Sequence, residues 1–146
     1  MTTDINDAAH AHAGYRPSRL QRCANTMLTR ALRNGRGPRF MRLLTVRGRR
    51  SGTTRSTPVV PVRDGGRTWV VSPFGEVGWV RDARVAGHVE LDRGVDRTTY
   101  AVRELGADES LPVLERYLST PARLFAGGPM RDASRLHPVF ELTPVR

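Results

Sequence analysis

Met41-Arg42-Leu43-Leu44-Thr45-Val46-Arg47-Gly48-Arg49-Arg50-Ser51-Gly52-Thr53-Thr54-Arg55-Ser56-Thr57-Pro58 runs from an apolar segment, through a basic glycine-punctuated one, into a second apolar segment that ends at Val62. Short β-branched runs bounded by breakers read as strands, here over residues 41–46 and 57–63, so the basic segment is the loop between them. Gly48 and Gly52 let its backbone turn and approach a ligand closely. Arg49, Arg50 and Arg55 supply fixed positive charge, and Ser51, Thr53, Thr54, Ser56 and Thr57 supply hydroxyl donors. Arginine grips phosphate or carboxylate oxygens with a two-pronged fork. Such a loop suits a polyanion; the plainer alternatives are solvated surface or a nonspecific nucleic-acid patch. It is neither a P-loop, which requires a lysine, nor a dinucleotide fingerprint, since no G-x-G-x-x-G opens a helix here.

Upstream, residues 1–17 are polar, alanine-rich and aperiodic in their first fourteen positions, and read as a disordered leader. A helix over 18–34 follows, opened by a Ser18-x-x-Gln21 capping box and closed by Asn34-Gly35. Its apolar stripe is Leu20, Cys23, Ala24, Met27, Leu28, Ala31 and Leu32, and its other face carries Arg19, Arg22, Arg30 and Arg33. The stripe either packs on a core or, as a basic amphipathic helix, meets a membrane surface or an anionic cofactor tail. Downstream, Asp64-Gly65-Gly66 joins 57–63 to a strand at 68–72 as a hairpin. Pro58 and Pro61 demote the earlier of these two strands to an edge or irregular segment. Ser72-Pro73-Phe74-Gly75 is a loop, and 79–86 a short helix closed by Gly87. Segments 89–92 and 97–105 form a second hairpin around Gly94. A helix capped by Asp108 or Ser110, with Pro112 in its first turn, runs to Leu118. Gly127-Gly128-Pro129 is a loop and 138–143 a closing strand. About six short strands with two or three helices imply an antiparallel barrel or rolled sheet in one domain over 18–146.

The chain of 146 residues has 24 basic side chains, all arginine, and a net charge of +10. That charge favours anionic partners. Without lysine, Schiff-base chemistry and pyridoxal phosphate attachment are excluded. A single cysteine, Cys23, excludes an intrachain disulfide and fits a reducing, cytoplasmic compartment. No apolar run approaches a membrane span. Cys23 sits on the helix stripe, and His88 and His137 lack partners at zinc-ligand spacing, so neither a thiol nucleophile nor a metal site is supported. No carboxylate pair stands out among Glu76, Asp82 and Glu90. The pattern points to a bound cofactor that carries the chemistry while the protein supplies position and electrostatics. The segment from Ser72 to Gly87 adds glycines, a helix start and Trp79, which either flanks a planar ring or packs in the core.

Together, Leu43 to Pro58 (L-L-T-x-x-G-R-x-S-G-x-x-R-x-T-P), Ser72 to Gly87 (S-P-F-G-x-x-x-W-V-R) and His137 to Leu142 (H-P-V-F-x-L) resemble the deazaflavin-dependent nitroreductase family over nearly the whole chain from Leu20. The resemblance implies a mainly β, Greek-key split barrel of the FMN-binding type with flanking helices. It also implies coenzyme F420 as cofactor, with FMN the alternative, and hydride transfer from the reduced deazaflavin to a small organic acceptor such as a quinone, nitroaromatic or enone. By the same resemblance Arg49, Arg50, Ser51, Gly52 and Arg55 hold the phosphate and acidic tail. Thr57, Pro58, Val59 and Val60 lie beside the ring, Ser72, Pro73, Phe74 and Gly75 line its pocket, and Trp79 and Arg81 cover it. The family's Asn in W-V-R-N-L is Asp82 here and the next Leu is Ala83. An added carboxylate would repel an anionic cofactor unless Arg81 or Arg84 pairs with it. Relatives carry tyrosines near the substrate; this chain offers Tyr117, then Leu124 and Phe125. A non-catalytic F420 or flavin carrier is the alternative function. Few aromatics interleave with the basic strands, which disfavours a specific nucleic-acid partner. Peripheral membrane contact through the 18–34 helix and a homodimer complete the expected partners.

Overall fold

The computed structural model describes residues 19–124, 130 and 136–145. The leader over 1–17, Ser18 of the capping box, Phe125 and the Gly127-Gly128-Pro129 loop lie outside the described residues. In chain order the elements are α1 (Arg19–Arg33), β1 (Arg42–Arg47), β2 (Thr54–Val59), β3 (Val62–Asp64), β4 (Arg67–Val71), α2 (Gly78–Ala86), β5 (His88–Asp92), β6 (Thr98–Glu104), α3 (Ala107–Leu118) and β7 (Val139–Pro144). All seven strands join one sheet in the order β2-β1-β5-β6-β7-β4-β3, every pairing antiparallel.

Seven strands stand where about six were expected, because the 57–63 run is two strands. Val60 and Pro61 separate β2 from β3, and Pro61 has no N–H for a ladder. Those two residues also join the two opposite edges of the sheet. Edges that far apart in strand order and that close in sequence can meet only if the sheet rolls up. The break therefore makes the half-barrel.

A rolled sheet buries both faces, and the strands read accordingly. In β1, Leu43 enters one core and Leu44 and Val46 the other; in β4, Trp69 and Val71 oppose Val70; in β7, Val139 opposes Phe140. The first core is closed by Leu32 of α1 and by Val113 and Tyr117 of α3. The second is closed by Trp79, Val80 and Ala83 of α2.

The end of α1 is a Schellman motif, with Gly35 N–H donating to Leu32 O at 3.1 Å and Arg36 N–H to Ala31 O at 2.7 Å. That end is docked. Arg33 Nη2 donates to Ser56 Oγ in β2, and Arg93 Nη2 to Gly37 O. A Cβ on Gly94, in the β5–β6 turn, would come within 2.4 Å of Arg33 O, so only glycine permits this approach. The start of α1 is not docked. Leu20 is 80% exposed and Met27 68%, and Cys23 and Ala24 are exposed too. Of the stripe expected to pack, only Leu32 is buried, with Leu28 and Ala31 partly so. α3 also differs from expectation. Its N-cap is Gly106, without a side-chain cap, and Ser110 Oγ donates back to Gly106 O at 2.8 Å. The helix starts a turn earlier than Ser110 would set it, so Pro112 falls in its second turn.

Candidate functional site

The loop between β1 and β2 is a closed turn. Gly48 N–H donates to Thr53 O at 2.8 Å and Gly52 N–H to Gly48 O at 3.0 Å. The hydroxyls of Ser51 and Thr53 lie 2.6 Å apart, and Thr53 N–H donates to Ser51 Oγ. A Cβ at Gly48 would meet Thr53 O at 3.0 Å and Arg55 Nε at 3.2 Å. A side chain there would crowd the turn, Gly52 takes the left-handed conformation that favours glycine, and the Arg55 side chain lies across the turn.

Four arginines flank this turn, Arg47, Arg49, Arg50 and Arg55, and a fifth, Arg81, lies on α2. Of these five, only Arg49 has a carboxylate partner among the described residues. Arg49 Nη1 donates to Asp82 Oδ1 at 2.7 Å, and the Arg49 main-chain N–H donates to the same oxygen at 3.1 Å. Asp82 is 1% exposed and the Arg49 side chain 16%. The carboxylate is thus not a repulsive wall to an anion, because its charge is matched inside the protein. Neither of the partners that the sequence offered Asp82, Arg81 and Arg84, pairs with it. Arg84 instead bonds Glu104 and Glu76, and these two carboxylates, Glu104 foremost, hold its guanidinium protonated well above the ordinary arginine range. That brace fixes the end of α2 to β6 and to the segment before α2.

Around the turn the expected residues separate by face. Arg55, Thr57 and Val59 alternate with Ser56 and Pro58 along β2, and Val59 enters the same core as Trp79. Val60, one residue on, enters the other core. Ser72 is buried, and its hydroxyl donates to Gly75 O at 2.5 Å, shaping the tight turn through Pro73 and Phe74 into α2. The N-cap of α2, Val77, makes no side-chain cap. Trp79 is 9% exposed and packs its ring on Phe140, with centroids 5.9 Å apart at 52°. Past the last paired residues of β1 and β5, an open cleft of about 310 Å³ extends from the loop between Thr45, Arg47, Thr54, His88, Glu90 and Thr99.

Tyr117, the tyrosine expected near the substrate, is placed elsewhere. It is 2% exposed in the core under α3, and burial alone pushes its phenol well above the usual tyrosine range. A group so enclosed can reach no substrate, so it is a packing residue. No set of three or more His, Cys, Asp or Glu among the described residues is grouped to hold a metal. Sequence reasoning left Arg47, at the base of the loop, out of the expected ligands, and it singled out Asp82 without finding that Asp82 anchors the loop through Arg49. Arg47 had a visible signal, since it begins the basic run itself.

A sheet rolled through its own edges, with a basic glycine turn at one edge strand, places the chain among the split β-barrels. The chain belongs to the F420H(2)-dependent quinone reductase family, whose pattern matches residues 19–135. Among solved structures it is similar to an F420-H2 dependent reductase, at 21% identity over 72% of this chain and 95% of that one, with a TM-score of 0.60. It is also similar to a chain described as a domain-swapped dimer (20% identity, 81% and 95% covered, TM-score 0.61). A pyridoxamine 5'-phosphate oxidase-type protein from Listeria innocua shares the fold as well (15%, 83% and 93%, TM-score 0.54). No curated protein matches the sequence. The cofactor is therefore coenzyme F420 and the protein an F420H2-dependent reductase. The residues present fit such a group: Arg47, Arg50 and Arg55, without acidic partners among the described residues, stand at a turn in which Gly52 takes the left-handed conformation that favours glycine.

Proposed function

We propose that the protein reduces a quinone-like acceptor, with Arg50, Arg55 and Arg47 holding the anionic end of F420 and the Ser72–Gly75 turn and Trp79 bounding its ring. The observation that carries this is the contrast within one loop, where Arg49 is neutralised by Asp82 while its neighbours have no acidic partner among the described residues. Bound F420H2 supplies the hydride. The protein's own part is positional. Charge-assisted bonds from the free arginines fix the anionic end, and the rigid turn of Ser72 and Gly75 with the Trp79 wall limits where an acceptor can lie. Ser51, Gly52, Thr57, Pro58 and Arg81 complete the proposed lining. F420 should bind more tightly than FMN, because three free guanidinium groups exceed what one phosphate engages. Fluorescence titration of the purified protein with each decides this, and equal or tighter FMN binding overturns it.

The family description supports a quinone as acceptor. The undocked half of α1 supports where such an acceptor would be met. No helix among the described residues is long and apolar enough to cross a membrane. Yet Leu20, Cys23, Ala24 and Met27 form an exposed apolar stripe on a helix that contains arginines and no acidic residue. Each arginine near an anionic lipid surface adds about 1 kcal/mol. The protein should therefore sediment with anionic vesicles at low salt and be released at high salt. A homodimer, which the domain-swapped neighbour supports, is the other way to cover the stripe. Dimers in solution without vesicle binding would assign the stripe to a second copy and end the membrane reading.

A further inference from the structure

We infer that Asp82 is a positioning residue that latches the 48–53 loop to α2, so that the anion cradle is formed before F420 arrives. Asp82 lies 33 positions after Arg49 in sequence, on the helix that carries Trp79 and Arg81. One oxygen, Oδ1, receives both the Arg49 main-chain N–H and its guanidinium. The main-chain bond fixes the loop's path, and the guanidinium bond matches the buried charge. The other oxygen, Oδ2, is buried without a hydrogen-bond partner among the described residues, so the carboxylate is committed to the loop through a single atom. One of two adjacent arginines is thereby drawn inward and used as an anchor. Arg50, its neighbour, is left exposed for the ligand. A loop already ordered loses less conformational entropy on binding, which appears as affinity. The latch also ties the two walls of the proposed pocket together, since the loop and α2 cannot separate without breaking it.

The inference rests on the reading of the loop as the F420 cradle, but its first test does not. In the cofactor-free protein, the amides of Arg49 and Gly52 should be protected from hydrogen exchange. Asp82→Ala, which removes both bonds, should abolish the Arg49 protection, and Arg49→Ala, which keeps the main-chain bond but leaves a buried carboxylate unmatched, should lower it, while the β4 and β7 amides keep theirs. F420 Kd should then rise about tenfold in each, with the double variant no weaker than the single ones, since both break one latch. The KM for F420H2 should rise in parallel while kcat at saturation stays within about twofold. Asp82→Asn keeps an oxygen acceptor at the same place and should retain both loop protection and Kd within about threefold. Should Asp82→Ala not fold, Arg49→Ala and Asp82→Asn carry the comparison alone. Unprotected loop amides in the wild type overturn the latch, whatever F420 does. Tighter F420 binding by Asp82→Asn would also overturn it, since Arg49 would then act on the ligand directly once released. A fall in kcat that matches the rise in Kd would place Asp82 at the reacting atoms and end the positioning role. Protected amides with unchanged Kd in both alanine variants would show that the loop is latched yet is not the cradle, and would overturn the inference together with the reading beneath it.

Discussion

Replacing Arg50 and Arg55 together with alanine should weaken F420 binding by on the order of a hundredfold and leave the melting temperature nearly unchanged. Hydrogen bonds to charged groups contribute about 1.5–3 kcal/mol each, and two lost together reach a hundredfold even at the low end, at about 1.4 kcal/mol per factor of ten. The fold should survive because neither side chain bonds a protein group among the described residues. Arg50 is exposed, and Arg55 lies across the glycine turn without closing it. The loss should shrink as salt rises, since exposed charges are screened over about 8 Å at physiological ionic strength. Titration of F420 fluorescence at two salt concentrations, beside a thermal melt, reads both quantities. A lowered melting point with unchanged affinity would show that these arginines serve the fold and not the ligand.

The contrast between Arg49 and Arg50 shows what a sequence can and cannot specify. Both precede Ser51 in one basic run, and nothing local distinguishes them. Their roles separate only when α2 brings Asp82 under the loop, 33 positions away. Asp82 itself looked like a departure that would repel an anion, because its partner was sought among its helical neighbours Arg81 and Arg84. Arg84 is instead occupied by Glu104 and Glu76. The rolled fold was more legible. The Gly65-Gly66 hairpin, the short helix after Gly75 and the strand runs other than 57–63 depend on local breakers and alternation, and stand close to where they were expected. The β2–β3 division was half visible in Pro61. That its two sides would be opposite edges of the sheet depends on long-range pairing, which local pattern does not encode. The α1 stripe carries the same lesson. Helical periodicity identified an apolar face correctly, but only the tertiary fold decides how much of that face finds a core. Here the docking ends near Leu28.

Trp79→Ala should cost about 3–5 kcal/mol of stability, the range for removing a large aromatic from a core. For a chain of this size that is a fall of roughly 10–16 °C in melting temperature. The ring fills the core closed by α2, where it meets Phe140 at 5.9 Å, and α2 has little else to hold it beyond Val80, Ala83 and its ion pairs. Loss of the ring should therefore loosen the helix that carries both Asp82 and Arg81, and F420 affinity should fall with stability. Trp79→Phe separates the two consequences. Phenylalanine keeps most of the buried area and the aromatic contact, so most of the stability should return. It shortens the wall proposed for the deazaflavin, so F420 should still bind severalfold more weakly than to the wild type. Thermal melts and F420 titrations on both variants read this directly. If Trp79→Phe recovers stability and affinity alike, the tryptophan is a core residue only, and the ring pocket must be bounded by the Ser72–Gly75 turn and β2 without it. If Trp79→Ala melts with the wild type, the packing on Phe140 does not hold α2, and the account of the second core fails with it.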